Sequence, residues 1–324
     1  MTSEQEAALL AFLDNYENNK KRISDLESAV SAQSDHLLPV ERAGATQNIS
    51  VDDIKDFVNS NIIKATTAIK GAVFLPSQIT ISNNATDANN DIDFSAGNFT
   101  VSDGSAQGVA SSVETKRLDA TWAAGNNAGG LAAGLTKANS TTYHCFKLLN
   151  PTTGATGSGF DTSLTAANLL ADPAVISAGV TKYKRVGSIM TDGSGNIYAF
   201  TMRILASGQA SFFLTGNLTG FFGTSPAAST DLTLTTPTGL NAGALLSGNI
   251  AHSNAACVYL LKSKVQGDQI AVGVIGNVAS TRGGITPPFP IVTNTSSQIQ
   301  HGYDASQGPA TIGLYLNGWI DYQL

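Results

Sequence analysis

Hydrophobic positions follow two regimes along the chain. Up to about residue 70 they recur at helical or short extended spacing, and beyond it they alternate in many short runs. Ser3 and Glu6 stand in capping-box spacing, and Leu9, Phe12, Leu13 and Tyr16 follow at i, i+3, i+4 and i+7. The pattern predicts an amphipathic helix ended at Asn18-Asn19. So short a helix is marginal alone in water, so its stripe should dock on another surface. Ile23-Ser24-Asp25-Leu26 comes next. Residues 37–41 and 46–50 read as two strands around an Ala43-Gly44-Ala45 turn. Ser50 can cap a helix that Asp52 and Asp53 favour at its positive end, with Val51, Ile54, Phe57 and Val58 on one side. That helix can continue through Ile62, Ala65 and Ala68, with Asn61 in a coiled-coil-like seam. Gly71 and Pro76 mark a boundary.

Residues 72–205 read as a β-rich middle domain. Expected strands cover 73–75, 79–81, 92–94 and 141–149. The most legible hairpin joins 183–190 to 197–204 through Thr191-Asp192-Gly193-Ser194-Gly195-Asn196. Residues 206–324 read as a second β domain. Its expected strands are 211–214, 231–235, 244–246, 256–261, 270–275 and 291–294, and then 311–316 and 319–324 around Asn317-Gly318, a two-residue hairpin signal. Across that pair Leu314, Leu316, Trp319 and Asp321 share one face, and Tyr315, Ile320 and Tyr322 the other. The fold class expected is therefore mainly β, with an N-terminal α-helical or α+β region over 1–70 and a jelly-roll-like β-sandwich at the distal end.

Charge sharpens the division. Residues 1–70 hold 7 basic and 11 acidic side chains, and residues 203–324 only 4 of each, within a net charge of −6. The neutral distal half lacks the basic patch that nucleic-acid binding requires. No run approaches the roughly 20 apolar residues of a membrane span, and the polar, acidic N-terminus does not read as a secretory signal. Cys145 and Cys257 form no paired motif and read as single buried thiols.

Candidate chemistry is sparse. Asp87, Asn89, Asp91 and Asp93 alternate like the start of a calcium loop, but Ile92 and Asn98 stand where Gly and Glu are needed. A polar turn into the 92–94 strand is the better reading. His36, His144, His252 and His301 are isolated, with His144 inside an apolar strand. No paired carboxylates or nucleophile motif stand out, so no catalytic site, cofactor or metal is expected. Phe221-Phe222, Phe289 between prolines, and Tyr303 are loop aromatics, each either an inward anchor or a receptor contact.

Residues 22–58 resemble a module near the N-termini of tailed-bacteriophage fibre and tail proteins. An Asn-Asp-Ile-Asp segment (90–93), Lys-Arg-Leu-Asp-Ala…Trp-Ala (116–123), Thr-Tyr-His (142–144) and Arg-Val-Gly-Ser-Ile (185–189) are similar in order to phage and prophage tail-fibre sequences. The resemblance implies a virion structural protein, assembled in the host cytoplasm, commonly a homotrimer. Its N-terminus would be held by other virion proteins and its β domains offered to a host surface glycan or protein. The anchoring and oligomer candidates are then Leu9, Phe12, Leu13, Tyr16, Ile23, Leu26, Ile54 and Val58. A head, neck or capsid decoration fibre and a polysaccharide-degrading spike are the alternatives.

Overall fold

The computed structural model describes residues 37–42, 45–50, 79–205, 208–226, 229–251, 257–265, 269–275, 282–303 and 311–322. The chain divides into two units, Met1–Ala72 and Val73–Leu324. In the first, β1 (Leu37–Arg42) and β2 (Ala45–Ser50) pair antiparallel, with Leu37 opposite Ser50 and Arg42 opposite Ala45. This is the hairpin that the two extended runs predict. The expected helices on either side, and the expected strand at 73–75, lie outside the described residues.

The second unit begins with β3 (Ile81–Asn83), β4 (Asp91–Phe94), β5 (Gly97–Thr100), β6 (Gln107–Ala110), β7 (Glu114–Thr121), β8 (Ala128–Leu131), β9 (Thr142–Leu149) and β10 (Thr156–Asp161). Two short helices follow, α1 (Ala167–Ala171) and α2 (Pro173–Ser177), then β11 (Lys182–Met190) and β12 (Phe200–Ile204). Seven of these strands form one sheet in the order β11-β9-β10-β8-β7-β4-β3, in which β8 runs parallel to both neighbours; β5 and β6 pair separately. β9 carries the near-continuous apolar run Tyr143-His144-Cys145-Phe146-Lys147-Leu148-Leu149, and every one of these residues is buried. Such a strand has to be covered on both faces. Tyr143, Cys145 and Leu149 join one core cluster, while Phe146 and Leu148 join another beneath Trp122, Leu169 and Val175. Two buried aspartates hold the helices there. Asp161 accepts from the backbone N–H groups of Asn168 and Leu169, and Asp172 from those of Ala174 and Ala133. The bonds from Asn168, Leu169 and Ala174 satisfy donors that a helix start leaves open, and the one from Ala133 ties α2 to the segment after β8.

The hairpin expected between 183–190 and 197–204 forms only its turn. The Asp192 carboxylate accepts from the N–H groups of Ser194 and Asn196, and Thr191 bridges to Ile197. β11 then pairs along its length with β9, and the chain after the turn crosses to another sheet. Asn83 receives it: its amide nitrogen donates to the Tyr198 carbonyl and its amide oxygen accepts from the Phe200 N–H. The turn chemistry is local and was legible, but the partner of each strand is decided by which buried edge it can complete.

The chain continues as β13 (Ala210–Thr224), β14 (Thr230–Thr233), β15 (Ala242–Ala251), β16 (Cys257–Ser263), β17 (Gln269–Ile275), β18 (Arg282–Ile285), β19 (Ile291–Val292), β20 (Gln298–Tyr303) and β21 (Thr311–Asp321). One sheet runs β12-β13-β21-β15-β18, with β19 beside β15, and the other β14-β20-β16-β17. Ile250, Ile312 and Leu314 from the first and Tyr259, Leu261 and Ile299 from the second share one buried cluster, which makes this a sandwich. The described residues are thus mainly β, with 54% strand and 5% helix.

The expected hairpin at Asn317-Gly318 does not form. β21 runs straight through it, between β13 and β15, with Gly318 opposite Phe213 on one side and Leu245 on the other. Both registers shift here, which marks a bulge. A Cβ on Gly318 would sit 1.9 Å from the Phe212 carbonyl oxygen, at a φ of +155°. The glycine therefore answers close backbone approach, not a tight turn. The extra residue also changes parity along the strand. Leu314, Leu316, Trp319 and Asp321 consequently all lie buried, the grouping expected from the sequence, reached by a different route.

The suggested division at 205/206 falls between β12 and β13, which pair with each other. The largest cluster takes Ile81, Phe94 and Val186 from one side of that point and Phe212, Ala242 and Trp319 from the other. Phe212 and Trp319 stack with ring centroids 5.1 Å apart and planes within 10°.

Candidate functional site

The aromatics singled out from the sequence separate into two kinds, and only Phe289 lies in a loop. Phe221 lies in β13 and meets the His301 ring edge-on at 4.5 Å, while His301 Nδ1 and the Tyr259 hydroxyl share a 2.8 Å hydrogen bond. Tyr303, in β20, packs against the sandwich core. These two face inward. Phe222, the next residue along β13, is 71% exposed, and Phe289 is 54% exposed.

Phe289 belongs to a shallow recess of about 360 Å³ that it lines with Pro290, Val292 and Tyr322. Three strand ends build it. Pro290 leads into β19, where Val292 pairs with Gly243 and Ile291 with Ala244 of β15. Across β15, Gly243 also pairs with Ile320 near the end of β21. A Cβ on Gly243 would lie 2.4 Å from the Tyr322 hydroxyl, so the tyrosine lies against bare backbone. Burial pushes the Tyr322 pKa up, which keeps its hydroxyl protonated and able both to donate and to accept. Rigid aromatic faces beside a hydroxyl suit a ligand with one flat apolar face and a polar rim. The sequence pointed to Phe289; Tyr322, two residues before the last residue of the sequence, was read only as a strand position.

Beneath this surface the polar groups are interior. Arg185 grips Asp321 with both guanidinium NH2 groups, at 2.5 and 2.9 Å, and also donates to Ser188 at 3.1 Å. Ser188 Oγ lies 2.8 Å from His144 Nδ1. Desolvation, and then the Arg185 charge, pull the His144 pKa down to about 4, so the ring is neutral near pH 7. A serine beside a histidine suggests a nucleophile and its base. Both are essentially unexposed, so the pair is closed to substrate and serves the interior.

A second interior group joins Glu114 and Lys116 of β7, Lys147 of β9 and Ser158 of β10. Both lysines are fully buried, and Glu114 keeps 14% of its side chain exposed. Lys116 Nζ donates to the carbonyls of Ala123 and Gly125 and lies 3.3 Å from Glu114 Oε1. The sequence reading passed over this group. Its one signal was a lysine inside the apolar run of β9.

The Asp87–Asp93 segment does not converge on an ion. Asp87 accepts from the Asn90 side chain, and Asp93 from those of Asn84 and Thr115. The backbone N–H groups of Asn90 and Asp91 return to the Asp87 carbonyl, which makes the polar turn into β4. Among the described residues, no three His, Cys, Asp or Glu side chains are grouped to hold a metal. Cys145 is a free, buried thiol, as expected; Cys257 lies in β16. Leu9, Phe12, Leu13, Tyr16, Ile23, Leu26, Ile54 and Val58 lie outside the described residues.

No protein-family model matches the chain. No curated protein and no solved structure matches it either.

Proposed function

We propose that this chain is a structural and adhesive virion protein, a fibre-like appendage of a tailed bacteriophage. In this reading the N-terminal unit holds the particle and oligomer contacts, through the stripe at Leu9, Phe12, Leu13 and Tyr16 and the positions Ile23, Leu26, Ile54 and Val58. The β unit faces outward as a homotrimer, and the Phe289–Tyr322 surface meets a host glycan or protein.

One observation carries the reading beyond the sequence resemblance, and it is the strand order of the distal sandwich. Counting its eight main strands in chain order from β13, without β12 and β19, one sheet runs first-eighth-third-sixth and the other second-seventh-fourth-fifth. Two interlocked Greek keys produce that order, so we read the distal domain as a jelly roll, an architecture used by viral capsid and lectin domains. Fold does not imply function, and the recess at its end supplies the site.

Sedimentation equilibrium of the full chain tests assembly, with a mass three times 33.4 kDa expected. Antibody labelling of intact particles tests placement, with label expected on tail fibres. Label confined to the head or neck would replace the adhesive reading with a decoration fibre. A monomer that labels no particle would end the proposal.

A further inference from the structure

We propose that the buried Lys147 and Glu114 side chains condense into an intrachain amide, a self-made cross-link between β9 and β7. This does not depend on the function proposed above. The geometry is that of a reaction site closed to everything except its own parts. Lys147 Nζ lies 3.1 Å from Glu114 Oε2, one bond from the carboxyl carbon it would attack. Ser158 Oγ accepts from Lys147 Nζ at 2.7 Å and donates to the same Oε2 at 2.6 Å. Lys116 Nζ holds the other oxygen, Oε1, at 3.3 Å.

The strands explain how these groups meet. Ser158 is directly opposite Lys147 in the β9–β10 pairing. Between β10 and β7 lies β8, an Ala-Gly-Gly-Leu strand. A Cβ on Gly130 would come within 2.9 Å of both the Phe160 ring and Lys116 Cβ. The glycines keep this space free of side chains. Phe94 and Trp122 line it, lying 5.8 Å from Lys147 Nζ and 5.5 Å from Lys116 Nζ.

The two lysines are not equivalent. Lys116 has two carbonyls and a carboxylate oxygen around its ammonium, and is well satisfied as a cation. Lys147 has only Ser158 and Glu114, with an aromatic ring on a third side. Desolvation lowers the pKa of both lysines toward the free amine, the nucleophilic form; the smaller set of oxygen acceptors around Lys147 is what singles it out as the attacking one.

The step balances without any outside reagent. The Lys147 Nζ lone pair attacks Glu114 Cδ, the Nζ–Cδ bond forms and the Cδ–Oε2 bond breaks. Starting from the ammonium and the carboxylate, Nζ gives up two protons and keeps one as the amide N–H. Both protons end on Oε2, which leaves as water, with Ser158 passing a proton from Nζ to Oε2. The negative charge that builds on Oε1 during attack faces the Lys116 ammonium. The exposed fraction of Glu114 gives the water its way out. The product replaces a buried ion pair, whose desolvation is costly, with a neutral amide.

Mass spectrometry of the full chain under denaturing conditions tests this. The expected mass is one water below that of the sequence, with a branched peptide joining Lys147 to Glu114. Lys147→Arg and Glu114→Ala should restore the full mass. Ser158→Ala should slow the appearance of the link in newly synthesised chain followed over time, and an unchanged rate would refute the relay. A wild-type chain at full mass, or one that has lost water without the branched peptide, overturns the proposal. The wild-type measurement decides even where a variant fails to fold.

Discussion

Arg185 and Asp321 are 136 positions apart and form a bidentate ion pair inside the protein. Their side chains are 7% and 0% exposed. The pair pins the end of β21 to β11, tying the sandwich side of the unit to the seven-stranded sheet. Removing one partner leaves a buried charge uncompensated, whereas replacing both with apolar groups removes the desolvation cost as well. Asp321→Ala should therefore lower unfolding free energy by about 3–5 kcal/mol. The double change Arg185→Met with Asp321→Leu should recover much of that loss. Denaturant unfolding of the three proteins measures both.

The neutral His144 makes stability depend on pH in a defined window. Its pKa is about 4 in the fold, below the ordinary value of 6.5. The unfolded chain therefore binds more protons between these values, and stability falls as pH falls through that range. The contribution is fully present above about pH 6.5 and is lost by about pH 4, amounting to at most about 3 kcal/mol. Burial pushes His301 in the same direction. Unfolding curves of wild type and His144→Gln at several pH values should show a shallower slope for the variant.

Gly318→Ala should be among the most damaging single-methyl changes. Its Cβ would collide with backbone, which cannot rotate away as a side chain can. The unfavourable φ alone costs on the order of 1–3 kcal/mol. A large drop in melting temperature is expected, measured by calorimetry, while Gly284→Ala, with open space around its Cβ, should change little.

Phe289→Ala should leave stability within about 0.5 kcal/mol, since the side chain is largely in water. The same variant should compete poorly with particles for host cells. Normal competition would remove the recess from the proposed function.

Cys145 should resist alkylation in the native protein. The thiol is completely enclosed, and burial pushes its pKa up, away from the reactive thiolate. Peptide mapping after native and denatured labelling should find Cys145 modified only in the second.

The limits of the sequence reading follow the range of each interaction. Asp192 and its turn were legible because the bonds its carboxylate accepts span four residues or fewer. β9 was legible as a buried strand because its apolar run is itself the cause. The strand partners were not, because β11 and β12 are separated by a choice of edge made elsewhere. Asn317-Gly318 carries the letters of a turn, yet the demand on Gly318 comes from β13, about a hundred residues earlier. Phe289 announced itself through its prolines, whereas Tyr322 joins it only because Gly243 lacks a side chain. Nothing local marks Lys116 as buried, since its burial depends on the carbonyls of Ala123 and Gly125.

The ion pair between Arg185 and Asp321 also sets a timetable. A ribosome adds about 5–20 residues each second, so Arg185 emerges roughly seven to twenty-seven seconds before the aspartate that neutralises it. During that interval the seven strands of the first sheet are all available, but the cluster that Trp319 completes stays open on one side. The nascent chain thus waits with a guanidinium and an apolar surface uncovered, and β21 arrives as the bolt that closes both at once.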